Sequence, residues 1–192
     1  LLGRFRGKPS SKGKGFHQPS GPHRHWHVDI AYVNICGTFY FMTSILDGYS
    51  RYLVHWEIRE KMEEVDVEAI VQRAREKFPG ENPRIITDNG PQYVTWRGKS
   101  RFTKELEHQE IKQIIARPKH PQTLGKVERF WGTLWREFLE TAVFADLADA
   151  RARIGLFVDY YNFQRVHRGI GGVVPADRFF GAASEVLRTL KE

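Results

Sequence analysis

The sequence predicts an α/β domain on one mixed, five-stranded sheet, three antiparallel strands followed by two parallel ones, with helices on both faces. Three observations carry this. Residues 26–58 fall into three strand-length blocks rich in β-branched and aromatic side chains, separated by turn residues. From residue 67 the apolar positions switch to helical spacing. Two short apolar runs, 84–87 and 111–116, then alternate with helical stretches, the pattern of parallel strands joined by crossover helices.

The first strand is read from Trp26 to Val33, with Trp26, Val28, Ile30 and Tyr32 on one face. Asn34 to Gly37 makes a turn, Thr38 to Leu46 the second strand, Asp47-Gly48 a hairpin turn, and Arg51 to Ile58 the third strand. Val67, Ile70, Val71, Ala74 and Phe78 define one helical stripe, which Pro79-Gly80 ends. Arg84 to Thr87 is a short buried strand with the turn Asp88-Asn89-Gly90-Pro91 at its C-terminal end. A loop with a short helix near Lys104 to Gln109 leads to a strand at Ile111 to Ala116. After a loop at Pro118 to Thr123, one helix runs from Leu124 to about Thr141, and a final helix from Leu147 to Phe163. No internal repeat is visible. The expected domain limits are a basic flexible arm at 1–24, a core at 25–181 and a C-terminal tail at 182–192.

A length of 192 residues with 41% hydrophobic content suits one domain with a real core. No apolar run is long enough for a membrane span, and the first residues lack the apolar stretch of a secretory signal. The start at Leu1 reads as a fragment of a longer protein. A single cysteine, Cys36, excludes an internal disulfide and a zinc site built on paired cysteines, and fits a reducing intracellular compartment. The net charge of +7 is uneven. Residues 1–25 hold six basic residues and no acid, leaving 24 basic against 23 acidic residues elsewhere. Such an arm suits phosphate contacts, and equally suits a solvated linker. Within the near-neutral body, Arg117 to Arg136 holds five basic residues and a single acid, Glu128. That pattern makes sense if the segment faces phosphate and the acid has another task.

Three carboxylates are candidates for chemistry. Asp29 interrupts a β-branched and aromatic strand, where Asp is depleted and needs a partner or a metal. Asp88 ends a short strand, where ligand sites of α/β sheets gather. Glu128 lies on the helix after His120-Pro121-Gln122-Thr123. Taken singly, each has a plain account: a solvent-facing acid, an Asx turn, and a surface Glu paired with Arg129 or Lys126. Together, two strand-borne Asp and one helix-borne Glu can converge at one sheet edge and form a hard-oxygen site for Mg²⁺ or Mn²⁺. Two such ions, about 3.5–4 Å apart, can activate an attacking oxygen and stabilise a leaving oxygen at a phosphodiester. Asp47 is the rival for the first position, but a turn role before Gly48 explains it.

Four ordered segments carry a family resemblance over about 26–180. Trp26-His27-Val28-Asp29-Ile30, with the hairpin Leu46-Asp47-Gly48-Tyr49-Ser50-Arg51, resembles the first-aspartate strand of DDE integrase cores. Thr87-Asp88-Asn89-Gly90-Pro91-Gln92-Tyr93 resembles their second-aspartate motif. His120 to Phe130, with Gly125, Lys126, Glu128 and Arg129, resembles the glutamate helix and is the most specific piece. Tyr161-Asn162 through Arg165, His167 and Arg168, with Gly171 and Pro175, is similar to the tail of bacterial insertion-sequence transposases. The chain departs from the family at Ala31, often Thr, and Leu124, often Asn; the 39 residues between Asp88 and Glu128 are a few more than usual.

The resemblance implies a ribonuclease H-like fold and a catalytic triad of Asp29, Asp88 and Glu128 holding two Mg²⁺ or Mn²⁺ ions, with no organic cofactor. It implies DNA as substrate: a metal-activated water cuts the element end, and the freed 3′-hydroxyl attacks a target strand in line. It also implies a homo-oligomer on DNA, no membrane, and a bacterial cytoplasmic or nucleoid-associated setting. Two alternatives stand beside a transposase or integrase core: a nuclease that cuts without joining, and a non-catalytic DNA-binding or assembly module. Lys119, His120, Gln122, Lys126 and Arg129 flank the expected metal site and are candidates for phosphate contacts near the scissile bond, or solvated surface. Tyr93 and Trp96 are candidates for base stacking, with core packing at least as good an account. His23, His25 and His27 are read as structural.

Overall fold

The computed structural model of the chain describes residues 18–91, 93, 98–116 and 121–190, without the side chains of 121–123. Most of the basic arm, Trp96, Lys119, His120 and the Gln122 side chain therefore lie outside the described residues.

Five strands form one sheet: β1 (His25–Ile35), β2 (Thr38–Asp47), β3 (Leu53–Arg59), β4 (Arg84–Thr87) and β5 (Gln113–Ile115). Their order is β3-β2-β1-β4-β5. β1, β2 and β3 pair antiparallel, while β4 and β5 run parallel to β1. This is the mixed sheet expected from hairpins followed by strand–helix alternation, and with its helices it is the ribonuclease H-like fold.

The pleat of β1 assigns its residues to two cores. Trp26 and Val28 point to a cluster with α1 (Glu64–Glu76) and α2 (Arg101–His108), through Val67, Ile70 and Phe102. Val33 and Ile35 point to the opposite cluster, with α3 (Pro121–Leu134) and α4 (Leu147–Phe163), through Val127, Phe130 and Tyr161. Asp29 has the odd-numbered parity of this second face. Tyr32, expected to continue the Trp26 stripe, is 65% exposed and packs only at the strand's outer end, 4.9 Å from Phe41 between ring centroids. The β1–β2 hairpin extends past its helical cover, so the stripe is buried only over its first half.

Four local differences from the expected elements have physical causes. α3 begins at Pro121 rather than Leu124. Proline suits the first helical position, because its missing N–H has no partner there anyway. α3 does not run on as an α-helix to Thr141: Trp135–Leu139 widens into a π turn, with Glu140 N–H donating to Trp135 C=O at 2.9 Å. The third strand starts two residues later than expected because Arg51 adopts φ +70° in the turn. Past α4, a 3-10 turn (Arg168–Ile170) and two short helices, α5 (Pro175–Phe179) and α6 (Ala183–Thr189), return the chain to the sheet edge. There Phe179 and Phe78 pack with the His23 ring in a three-ring cluster, at 4.6 and 4.7 Å from it between centroids. The histidines near the first strand are thus packing groups: His25 and His27 are buried too.

Candidate active site

The parallel register of β1 and β4 brings the two aspartates together. Its last pair is His27 with Ile86, and Asp29 and Asp88 lie two residues beyond on each strand. Residues two apart share a face, so both carboxylates leave the sheet on one side. β1 runs on past this point with β2, where Asp29 pairs with Ser44, whereas β4 stops at Thr87. Asp88 then turns the chain, its Oδ1 accepting from Gly90 N–H at 2.9 Å. The Asx turn expected for Asp88 and its position beside Asp29 are therefore both present.

α3 crosses this point. Trp131 Nε1–H donates to Asp29 Oδ2 at 2.9 Å. Glu128, one turn earlier on the helix, is exposed. The environment of Asp29 raises its pKa from 3.8 to about 6. Burial is the largest cause, the Trp131 hydrogen bond opposes it, and the fields of Asp88 and then Glu128 raise it further. Asp88 and Glu128 thus both act electrostatically on Asp29. They do not form a closed cage: among the described residues, no three His, Cys, Asp or Glu side chains are close enough to hold one ion.

Tyr93 is buried in the α1–α2 core, 5.6 Å from the Phe102 ring between centroids. Its hydroxyl has no hydrogen-bond partner among the described residues. Burial first, then the charges of Asp29 and Asp88, hold its pKa well above 10. This arrangement is core packing behind the aspartates and does not present the ring to a base.

Asp47 is fully buried. Its carboxylate accepts from His23 N–H at 2.9 Å, Ser50 N–H at 2.8 Å and Ser50 Oγ–H at 2.7 Å. A turn role accounts for the Ser50 bonds, and the His23 bond ties the turn to the segment before β1. Gly48 beside it has no room for a Cβ, which would lie 2.7 Å from His27 Nε2. Lys126 is half-buried, and its ammonium donates to Gly48 C=O at 2.6 Å. Burial, then Arg51, lowers its pKa to about 7. Lys126 and Arg129 line a cavity on another side of α3 from Glu128. Trp131 is the one contact to Asp29 that sequence reading did not single out; the signal was a Trp three residues after Glu128 on the same helical face.

Asp29 on β1 and Asp88 just past β4 thus lie under the helix that carries Glu128, on a ribonuclease H-like sheet. Residues 19–121 match the integrase core domain family, a second integrase core domain description matches residues 109–175, and the chain belongs to the integrase core domain family. Among curated proteins, it is 29% identical over 161 residues to the transposase for insertion sequence element IS904 of Lactococcus lactis, covering 82% of this chain and 62% of that protein. It is 24% identical over 157 residues to the putative transposase InsK for insertion sequence element IS150 of Escherichia coli, covering 81% and 54%. The chain thus spans little more than half the length of these relatives. Among solved structures, it resembles the HTLV-2 integrase catalytic core domain in complex with magnesium, with a TM-score of 0.62 at 19% identity over 83% of this chain and 98% of that one. The simian T-cell lymphotropic virus intasome gives a TM-score of 0.68 at 17% identity, covering 85% of this chain and 56% of that one. At these identities the likeness concerns the fold.

Proposed function

We propose that this chain is the catalytic core of a transposase, a metal-dependent polynucleotidyl transferase that cuts DNA at element ends and joins the 3′-hydroxyl to target DNA. The observation that carries the reading is that Asp29 and Asp88 each lie two residues past the last β1–β4 pair, and that Asp29 feels the charges of both Asp88 and Glu128. Family membership and the insertion-sequence transposases among its relatives support the same class.

Asp29, Asp88 and Glu128 are the ligands in this reading. The donor set fits a hard divalent cation: it is all carboxylate oxygen, and burial and like charge disfavour the ionised Asp29 until a cation arrives. When bound, Mg²⁺ or Mn²⁺ ions would activate the attacking oxygen and stabilise the leaving one. The chain's own residues do the positioning. Trp131 fixes one Asp29 oxygen and so orients the carboxylate. The Asx turn at Asp88 likewise holds Oδ1. Glu128, exposed on α3, completes the set by a side-chain movement. The basic arm at 1–24, Lys119, His120 and Gln122 are assigned to DNA phosphates, and the active form to a homo-oligomer on DNA, in line with the dimeric form named for the HTLV-2 core. Among the described residues no helix is long and apolar enough to cross a membrane.

The test is a labelled oligonucleotide assay with element-end and target duplexes in Mg²⁺ or Mn²⁺. Cleavage and joined products are expected from the native chain and neither from Asp88→Asn. Cleavage without joining would support a nuclease. Activity unchanged in Asp88→Asn would remove the carboxylate assignment.

A further inference from the structure

α3 carries a second stripe that the carboxylate site does not use. Lys126, Arg129, Thr133 and Arg136 recur at helical spacing and face a cavity of about 350 Å³. The opposite wall comes from two distant segments, Arg51 in the β2–β3 turn and Arg165, His167 and Arg168 after α4. Five arginines, Arg51, Arg129, Arg136, Arg165 and Arg168, therefore line one space together with Lys126, and no acid is among its lining residues. Arg165 is ion-paired with Glu137 at 2.5 Å. Asp47 lies near Arg51, but its oxygens are taken by His23, Tyr49 and Ser50. Arg129, Arg136 and Arg168 have no hydrogen-bond or ion-pair partner among the described residues.

Two further observations indicate that the convergence has a ligand. Arg51 sits at φ +70°, a left-handed conformation that Gly or Asn adopts more easily. Such strain in a bulky residue persists where the surrounding structure enforces it, and it is concentrated at ligand sites. His167 is held neutral, its pKa lowered to about 4 by burial and then by Arg165 and Arg51. The cavity thus has a strongly positive interior with guanidinium forks suited to phosphate oxygens.

We propose that this cavity binds a non-reacting backbone phosphate of the DNA substrate. The proposal rests on the reading that the chain acts on DNA. Lys126 and Arg129 flank Glu128 in sequence but face the cavity, so the two sites are separated by about one helix diameter, on the order of 10 Å. At about 3.4 Å per nucleotide along a strand, the held phosphate is roughly three nucleotides from the scissile one. The tail segment then acts as a DNA clamp that sets where along the strand the carboxylates act.

The test is fluorescence anisotropy of a labelled duplex on the full chain, between about 50 and 200 mM salt. Arg136 and Arg168 are exposed, and their side chains hold no structural bond among the described residues, so the double variant R136A/R168A should fold. It is expected to lower the slope of log affinity against log salt by about 1, for the one phosphate held, and to weaken unrelated sequences equally. R136K/R168K should restore the slope. An unchanged slope in R136A/R168A overturns the proposal, even if the native chain cuts and joins DNA. A fallen slope in a chain that shows no cleavage keeps the cavity and removes the catalytic reading. Inorganic phosphate binding to the native chain and not to R136A/R168A, with DNA affinity and salt slope alike in both chains, would assign the cavity to free phosphate and overturn its assignment to DNA.

Discussion

Asp29 shows how one residue is placed by several weak forces. It breaks the strand pattern of β1, which made it visible in the sequence, but its protonation is set by neighbours from β4 and α3. Its folded pKa of about 6 lies above the ordinary value of 3.8, so the fold holds the proton more tightly than the unfolded chain does. Between these two values the native state binds more protons. Stability contributed by the protonated form is therefore present at low pH and lost as pH rises from about 4 to about 6, by on the order of 2–3 kcal/mol. Asp29→Asn should remove this loss. In metal-free thermal melts, the variant is expected to melt above the native chain at pH 7.5 and to differ little at pH 4, and equal melting temperatures at both would show that Asp29 ionises freely. Asp47, by contrast, is an acid whose turn role was legible from Asp-Gly alone, and its four hydrogen-bond donors all come from residues 23, 49 and 50.

At the scale of elements, α4 bonds the β3 backbone at both ends, through Arg151 to Ile58 C=O and through Asn162 to Leu53. Asn162 Oδ1 accepts from Leu53 N–H at 2.8 Å, and its Nδ2 donates to Leu53 C=O at 3.1 Å. The amide thus satisfies both backbone groups at the buried start of β3, as a neighbouring strand would. Asn162→Ala leaves both without a partner, at about 1–3 kcal/mol each. Urea denaturation should show a lower midpoint with an unchanged slope, and a midpoint equal to that of the native chain would mean that water replaces the amide. The Tyr-Asn pair was visible as part of a family-like tail, yet its role was not, because its partner lies 109 residues earlier. The π turn was equally hidden. Trp135 to Leu139 has ordinary helical residues, and the wider turn, with Arg136 at the cavity and Glu137 on Arg165, belongs to the packing of α3 against the tail.

For the whole molecule, the two sites on α3 predict distinct responses to ions. The carboxylate site gains from divalent cations, and the cationic cavity gains from polyanions. Mn²⁺ at about a hundred times its dissociation constant would add about 2.7 kcal/mol, or roughly 5–10 °C in melting temperature for a chain of this size. The shift should appear at pH 7.5 in the native chain and largely vanish in both Asp29→Asn and Asp88→Asn. Persistence in both variants would locate the ion elsewhere.

Strand and helix order, the break in pattern at Asp29, the turn at Asp88 and the isolated acid on a basic helix were all readable along the chain, because they rest on periodicity and short-range backbone preference. The mixed sheet followed from that order, since hairpins pair antiparallel and strand–helix–strand units pair parallel. What a helical stripe meets is a different matter. Lys126 and Arg129 looked like neighbours of Glu128 because they adjoin it in sequence, but 100° per residue turns them to another side of α3. Their partners, Arg51 and the segment from Arg165 to Arg168, come from far along the chain on either side. Periodicity reports that a face exists, and only the folded packing of distant segments decides whether it meets core, solvent or a cavity closed by charges of the same sign.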